Sequence, residues 1–115
     1  YRHLAGELGV GLADALVERR LVRREGTRYT LTTAGRRTGA TLGLLEDTDG
    51  HLEGHACLDW TERRDRVAGP LGIALTQGLL EVGWVRRKAD TRALRVTVEG
   101  ARRFRDDLGL SVEAG

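Results

Sequence analysis

Leucines step by four along the first stretch of the chain, at Leu4, Leu8, Leu12 and Leu16, and the spacing returns at Val67, Leu71, Leu75 and Leu79. Residues four apart share one face of an α-helix, so each set predicts a helix of roughly eighteen residues. Gly9 and Gly72 fall inside these helices, where glycine costs about 1 kcal/mol relative to alanine. Ala5, Gly9 and Val10, like Ala68, Gly72 and Ile73, also have the spacing of the turn in a helix-turn-helix. The leucine stripe crosses both glycines without changing phase, which favours a continuous helix. Beyond each helix the apolar period falls to two. Residues 21–24 and 84–87 read as strands that reverse at Glu25-Gly26-Thr27 and Ala89-Asp90-Thr91 into strands at 29–31 and 94–96, giving a hairpin each time. Gly83 suits a left-handed helix cap, and Arg20 takes that place earlier in the chain. Thr32 and Thr97 stand at N-cap positions, because a threonine oxygen accepts from the free amides of a first turn, and predict helices over 33–45 and 98–108.

The two halves are copies. At an offset of 63, Ala5, Gly6, Leu8, Gly9, Leu12, Leu16, Glu18, Val22, Arg23 and Arg24 meet identical residues from Ala68 to Arg87, ten matches in twenty positions. Two extra residues in the second hairpin shift the offset to 65, and Thr32, Gly35 and Arg37 then meet Thr97, Gly100 and Arg102. The reading is an α+β fold, mostly helical with two β-hairpins, built as tandem helix-hairpin-helix repeats. Residues 1–45 form the first repeat, 46–59 an acidic linker and 60–115 the second repeat, packed as one compact unit.

Composition narrows the class. With 115 residues, 40% hydrophobic and 4% aromatic, the chain supplies one packed core or two very small ones, and two large domains are excluded. No apolar run approaches the ~18 residues that span a bilayer, so no membrane partner is expected. The single cysteine excludes an internal disulfide framework, no secretory leader is apparent, and a cytoplasmic location is expected. The first residue is Tyr1 rather than methionine, which suggests a fragment of a longer protein. Charge alternates in blocks. Residues 1–40 carry eight arginines and four acids (+4), 41–62 six acids and no base (−6), 63–105 eleven bases and four acids (+7), and 106–115 three acids (−3). Two basic faces on two copies of one module would produce that pattern. The 18 arginines against one lysine reflect a composition bias and are weak evidence for nucleic acid by themselves.

A helix followed by Gly83-Trp84-Val85-Arg86-Arg87, a loop, Leu94-Arg95-Val96-Thr97, Gly100 and another helix resembles the wing of a winged-helix protein. More specifically, Cys57-Leu58-Asp59-Trp60-Thr61-Glu62-Arg63-Arg64, Val67-Ala68-Gly69-Pro70-Leu71-Gly72 and Gly83-Trp84 resemble the C-terminal half of bacterial ArsR-type transcriptional regulators. His3-Leu4-Ala5-Gly6-Glu7-Leu8-Gly9-Val10 is similar to the part that precedes it, so the resemblance covers nearly the whole chain. It implies a winged-helix, DNA-binding repressor-like regulator, active as a homodimer, whose sequence-reading domain lies N-terminal to this chain. This region would sense a small-molecule effector. Two other readings stand beside it: the repeats are themselves a DNA-binding module, or they are a purely structural dimerisation domain. The chain departs from the pattern at Arg2, where relatives carry an acid, and in the acidic stretch before Cys57, where they are arginine-rich.

Candidate chemistry is sparse. DNA phosphates would be met by the hairpin cations, Arg23, Arg24 and Arg28 in the first copy and Arg86, Arg87, Lys88, Arg92 and Arg95 in the second. A solvated basic edge is the rival explanation. Cys57, Asp59, Trp60 and Trp84 are the candidates for effector or redox sensing. Cys57 reads either as an activated thiol or as a small packed side chain, and the two tryptophans either line a pocket or anchor the core. Asp59 and Glu62 have capping-box spacing. His51, His55 and Cys57 offer a metal set suited to zinc, with His3 able to complete it; otherwise no cofactor is expected. Calcium is excluded, because Leu45 and Ala56 occupy the first and last places of the loop that Asp47-Thr48-Asp49-Gly50 would form. No phosphate-binding glycine loop or Ser/His/Asp order is present, so no enzyme is expected.

Overall fold

In a computed structural model, which describes residues 6–46, 52–89 and 93–115, the leucine stripes fold as α1 (Gly6–Glu18) and α3 (Gly69–Glu81), each 13 residues long and continuous through Gly9 and Gly72. The turn of a helix-turn-helix does not form at either glycine. Both helices are shorter than the roughly eighteen residues expected, and left-handed backbone flanks their ends. Gly6 and Gly69 start them with φ of +67° and +79°, and Arg20 and Gly83 follow their ends at +58° and +79°. Gly69 is the corner at which a preceding strand becomes α3, so Val67 and Ala68 belong to that strand and not to the helix.

The hairpins come next, β1 (Val22–Glu25) with β2 (Arg28–Leu31) and β5 (Val85–Arg87) with β6 (Leu94–Val96). Val22 faces Leu31 as Val85 faces Val96, preserving the register across the copies. Each hairpin leads into a helix, α2 (Thr33–Thr41) or α4 (Val98–Leu108), through one repeated joint. Thr32 Oγ1 accepts from Gly35 N at 2.9 Å and donates to Arg20 O at 2.8 Å; Thr97 Oγ1 accepts from Gly100 N at 2.9 Å and donates to Gly83 O at 2.7 Å. A Cβ on Gly35 would run into the Leu21 carbonyl, and one on Gly100 into the Trp84 carbonyl, so Thr-x-x-Gly marks a close crossing of backbones. The second helix ends earlier than the 33–45 stripe because Gly43 turns at φ +74° and sends Leu44 and Leu45 into the core.

The segment read as an acidic linker contains a strand. β3 (Glu53–Asp59) pairs antiparallel with β2 and with β4 (Arg64–Ala68), completing a four-stranded sheet in the order β1-β2-β3-β4, while β5-β6 remains a separate pair. Acidity obscured its period-two pattern, with Gly54 and Ala56 on one face and Glu53, His55, Cys57 and Asp59 on the other. The neighbours are basic: Arg28 stands opposite His55, Arg66 opposite Cys57 and Arg64 opposite Asp59.

Buried side chains of both copies form one continuous cluster, from Leu12, Leu16 and Tyr29 to Leu71, Leu79, Trp84 and Phe104. Trp84 and Phe104 meet edge to face with centroids 5.1 Å apart, an arrangement that contributes about 0.5–1.5 kcal/mol beyond area burial. Gly9, Leu12 and Ala13 of α1 and Gly72, Leu75 and Thr76 of α3 line a single gap of about 10 Å³, with Val67 beside them. These six are equivalent residues at the offset of 63, so the two copies meet at this gap through the same three positions. No described helix is long and apolar enough to cross a membrane.

Candidate functional site

The chemistry-bearing residues fall into two places. At the first, β3 and β4 are joined by a tight turn over residues 60–63, closed by Arg63 N donating to Asp59 O at 2.6 Å with Arg63 at φ +56°. Asp59, 4% exposed, gathers the surroundings of that turn. Its carboxylate accepts from Thr61 N and Glu62 N at 3.0 Å, from Gly6 N at 2.7 Å and from Arg66 Nη1 at 3.1 Å. The N–H of Glu62, followed by that of Gly6, holds the carboxyl below the usual carboxylate range against the opposing effect of burial. The capping contact expected from the Asp59/Glu62 spacing is therefore present, but it caps a hairpin turn, with no helix following. Asp59 ties the start of α1 to the β3-β4 turn across 53 positions of sequence.

Arg66 links Asp59 to Cys57, whose Sγ lies 3.8 Å from Arg66 Nη2. Leu58 and Trp60 project from this hairpin, 40% and 82% exposed, whereas Trp84 is 1% exposed beneath α4 with Arg103 stacked 5.2 Å from its ring. Trp84 is thus a core anchor and Trp60 is not, so the two tryptophans do not form walls of one pocket. Of the metal candidates, His3 and His51 lie outside the described residues. His55 and Cys57 share one face of β3, and among the described residues no three His, Cys, Asp or Glu side chains converge. The nearby Arg66 guanidinium also opposes a cation at the thiol.

The second place is the pair of basic hairpins, and the two copies differ. In the first, Arg24 is bound on several sides, to Asp65 Oδ2 at 2.7 Å, to Tyr29 Oη at 3.1 Å and to Gly26 O at 2.9 Å. The Asp65 bond raises the Arg24 pKa further, and burial raises that of Tyr29. Arg23 is 3.4 Å from Glu25, and Arg28 faces Glu25 across the hairpin. In the second hairpin no described carboxylate comes within ion-pair distance of Arg86, Arg87, Lys88 or Arg95; Arg92 lies outside the described residues. Arg86 stands directly opposite Arg95, a like-charge pairing that costs stability unless an anion lies near. Sequence reasoning missed Asp65 and Arg66. Both become visible once β3 is recognised, because its register brings β4 alongside.

No family model matches the chain, and no solved structure matches it. A protein of Bacillus subtilis (strain 168), named uncharacterized HTH-type transcriptional regulator YdfF, is 35% identical over 115 residues, covering 97% of this chain and 51% of that protein. The chain therefore spans about half the length of this relative.

Proposed function

We propose that this chain is the C-terminal regulatory region of a DNA-binding, ArsR-like transcriptional regulator. The observation that carries the reading is the 35% identity over 97% of the chain to a protein named as an HTH-type regulator. The fold supports a regulatory role. In a helix-turn-helix the recognition helix follows its predecessor after a 3–4-residue turn, whereas successive helices here, among the described residues, are separated by hairpins. Base reading then falls to the remainder of the regulator, which acts as a cytoplasmic homodimer. Asp59 supplies the coupling: an effector or oxidant acting around Cys57, Arg66 and Trp60 alters a carboxylate that also holds the first residue of α1. The region shifts the regulator between two states only by as much as the effector prefers one of them.

A second reading, favoured by cations of β5-β6 that meet no described carboxylate, adds direct contact between this hairpin and DNA phosphates. Fluorescence anisotropy with labelled promoter DNA tests both. The full-length regulator should bind, and the isolated chain should bind weakly and without sequence preference. Replacing Arg86, Arg87 and Lys88 by alanine in the full-length protein should flatten the log-log salt dependence by about 0.9 for each phosphate that is no longer neutralised. An unchanged slope removes the hairpin from the interface; failure of the full-length protein to bind any promoter fragment removes the primary reading.

A further inference from the structure

The two copies fill the space beneath their second helices differently. Under α4, Trp84 and Phe104 are both fully buried and set two rings edge to face. At the offsets of 63 and 65 their equivalents are Leu21 and Gly39, so α2 supplies no ring where α4 supplies one. A cavity of about 20 Å³ lies there, lined by Leu21, Gly39, Leu42, Leu45 and Leu108 among others. Apart from Thr38 its lining is leucine, valine, and glycine, which offers water few partners. A Cβ on Gly39 would come within 2.8 Å of Leu45 Cδ1, so Leu45 lies where the Phe104 side chain begins in the other copy. Its own equivalent, Leu110, goes elsewhere and meets Gly11 of α1. Leu44 and Leu45 also line a surface groove of about 320 Å³ beside Glu46, Gln77 and Glu81, and so form the partition between groove and cavity. The Leu44 carbonyl is pressed against Gly78, and Leu45 N donates to Gly39 O at 3.1 Å. The main chain of the partition is therefore held, and the Leu45 side chain is the part that can turn.

We propose that this cavity is a binding site for a small uncharged aromatic molecule, which enters from the groove as the Leu45 side chain turns aside. Its ring takes the place under α2 that the Phe104 ring holds under α4. At about 20 Å³, against the roughly 10–15 Å³ that one water needs, the cavity admits a ring only with Leu45 displaced. Apolar contact with Leu21 and Leu42 would give the affinity. The mouth sets the charge of the occupant: Glu46 and Glu81 line the groove, and Glu81 ends α3, where the helix dipole is also negative, so an anion is disfavoured. The site shares no lining residue with the surroundings of Cys57 and Asp59, and its occupation does not rest on the regulator reading.

The test titrates the whole chain with toluene, the phenylalanine side chain as a free molecule, and follows the leucine methyl groups by NMR. The methyls of Leu21, Leu42 and Leu45 should shift saturably, with Overhauser contacts from the ring protons to Leu21 and Leu42. Benzoate at the same concentration should leave them in place. Leu45→Ala removes the partition and should tighten toluene binding at least tenfold. Gly39→Phe combined with Leu45→Ala supplies the ring from the chain itself and should abolish binding. Leu45→Phe fills the same space from the partition and should also abolish it, which covers the case in which the double variant does not fold. No saturable shift in the native chain, contacts centred on the gap at Gly9 and Gly72, equal binding of benzoate, binding no tighter in Leu45→Ala, or undiminished binding in a folded filled variant would overturn the proposal.

Discussion

Adding one methyl group at Gly100 tests the joint that both copies share. The new Cβ would fall on the Trp84 carbonyl, at the point where Thr97 N donates to Trp84 O and the Thr97 hydroxyl bonds Gly83 O. Thr97 holds the carbonyl through both its N–H and its hydroxyl, so α4 must move outward. That motion opens the Thr97 cap, which contributes about 0.5–2 kcal/mol, and disturbs Phe104, fully buried against Trp84 on the same helix. Overpacking of this kind costs about 1–3 kcal/mol, reduced by up to about 1 kcal/mol because alanine favours the helix. Gly100→Ala should therefore destabilise the chain by about 2–4 kcal/mol and lower Tm by roughly 10 °C, measured by urea and thermal unfolding followed by far-UV circular dichroism. Gly35→Ala should cost the same within about 1 kcal/mol, because its methyl meets the Leu21 carbonyl in the same way. Gly11→Ala is the contrast: its Cβ would meet only the flexible end of Leu110, and the change should stay within about 1 kcal/mol of neutral. A destabilisation below about 1 kcal/mol at Gly100, or one at Gly11 equal to it, would refute the claim that these glycines are fixed by backbone contact.

Asp59 titrates below the ordinary carboxylate value near about 4, so its stabilisation is complete above that pH and is lost as pH falls through the lower folded value. Asp59→Asn should flatten the acid limb of the stability profile and speed exchange at the Gly6 amide; an unchanged acid limb would show that the carboxylate charge contributes nothing. Trp84→Ala should cost about 3–5 kcal/mol, while Trp60→Ala, at an exposed position, should stay within about 0.5 kcal/mol, both read by urea unfolding. Asp65→Ala should leave the chain folded and, by freeing Arg24 for anions, steepen the salt dependence of any DNA binding seen in anisotropy; no change in slope would mean that Arg24 does not reach phosphate.

The elements that repeat were legible, because each carries a strong local signal twice: the four-residue leucine step, the threonine caps and the Arg-Arg hairpins. What escaped was non-local. β3 pairs locally with β4 but also with Arg28 and Thr30 of β2, far from it along the chain, and its own sequence looks like a solvated acidic stretch. The lengths of the helices were set by backbone handedness, and Arg20 adopts the left-handed conformation despite lacking the freedom of Gly83. Asp59 was legible as a cap from its spacing to Glu62, but nothing local to it announces Gly6 or Arg66. The two tryptophans have equal apolar character in sequence. Only the surrounding topology, a core position under α4 and a turn at the sheet margin, separates them.

The gap shared by Gly9, Gly72 and their neighbours has a consequence for how the two halves could diverge. In a symmetric homodimer a substitution on the axis appears on both sides at once, and the interface dissolves on dilution. Here the halves are covalently joined, so they stay together at any protein concentration and either side can change alone. The differences between the halves have that character. One hairpin belongs to a four-stranded sheet with Arg24 held by Asp65, while its twin is a short two-stranded ribbon whose cations meet no described carboxylate. The joined copies thus carry two unlike ends, a specialisation closed to identical subunits.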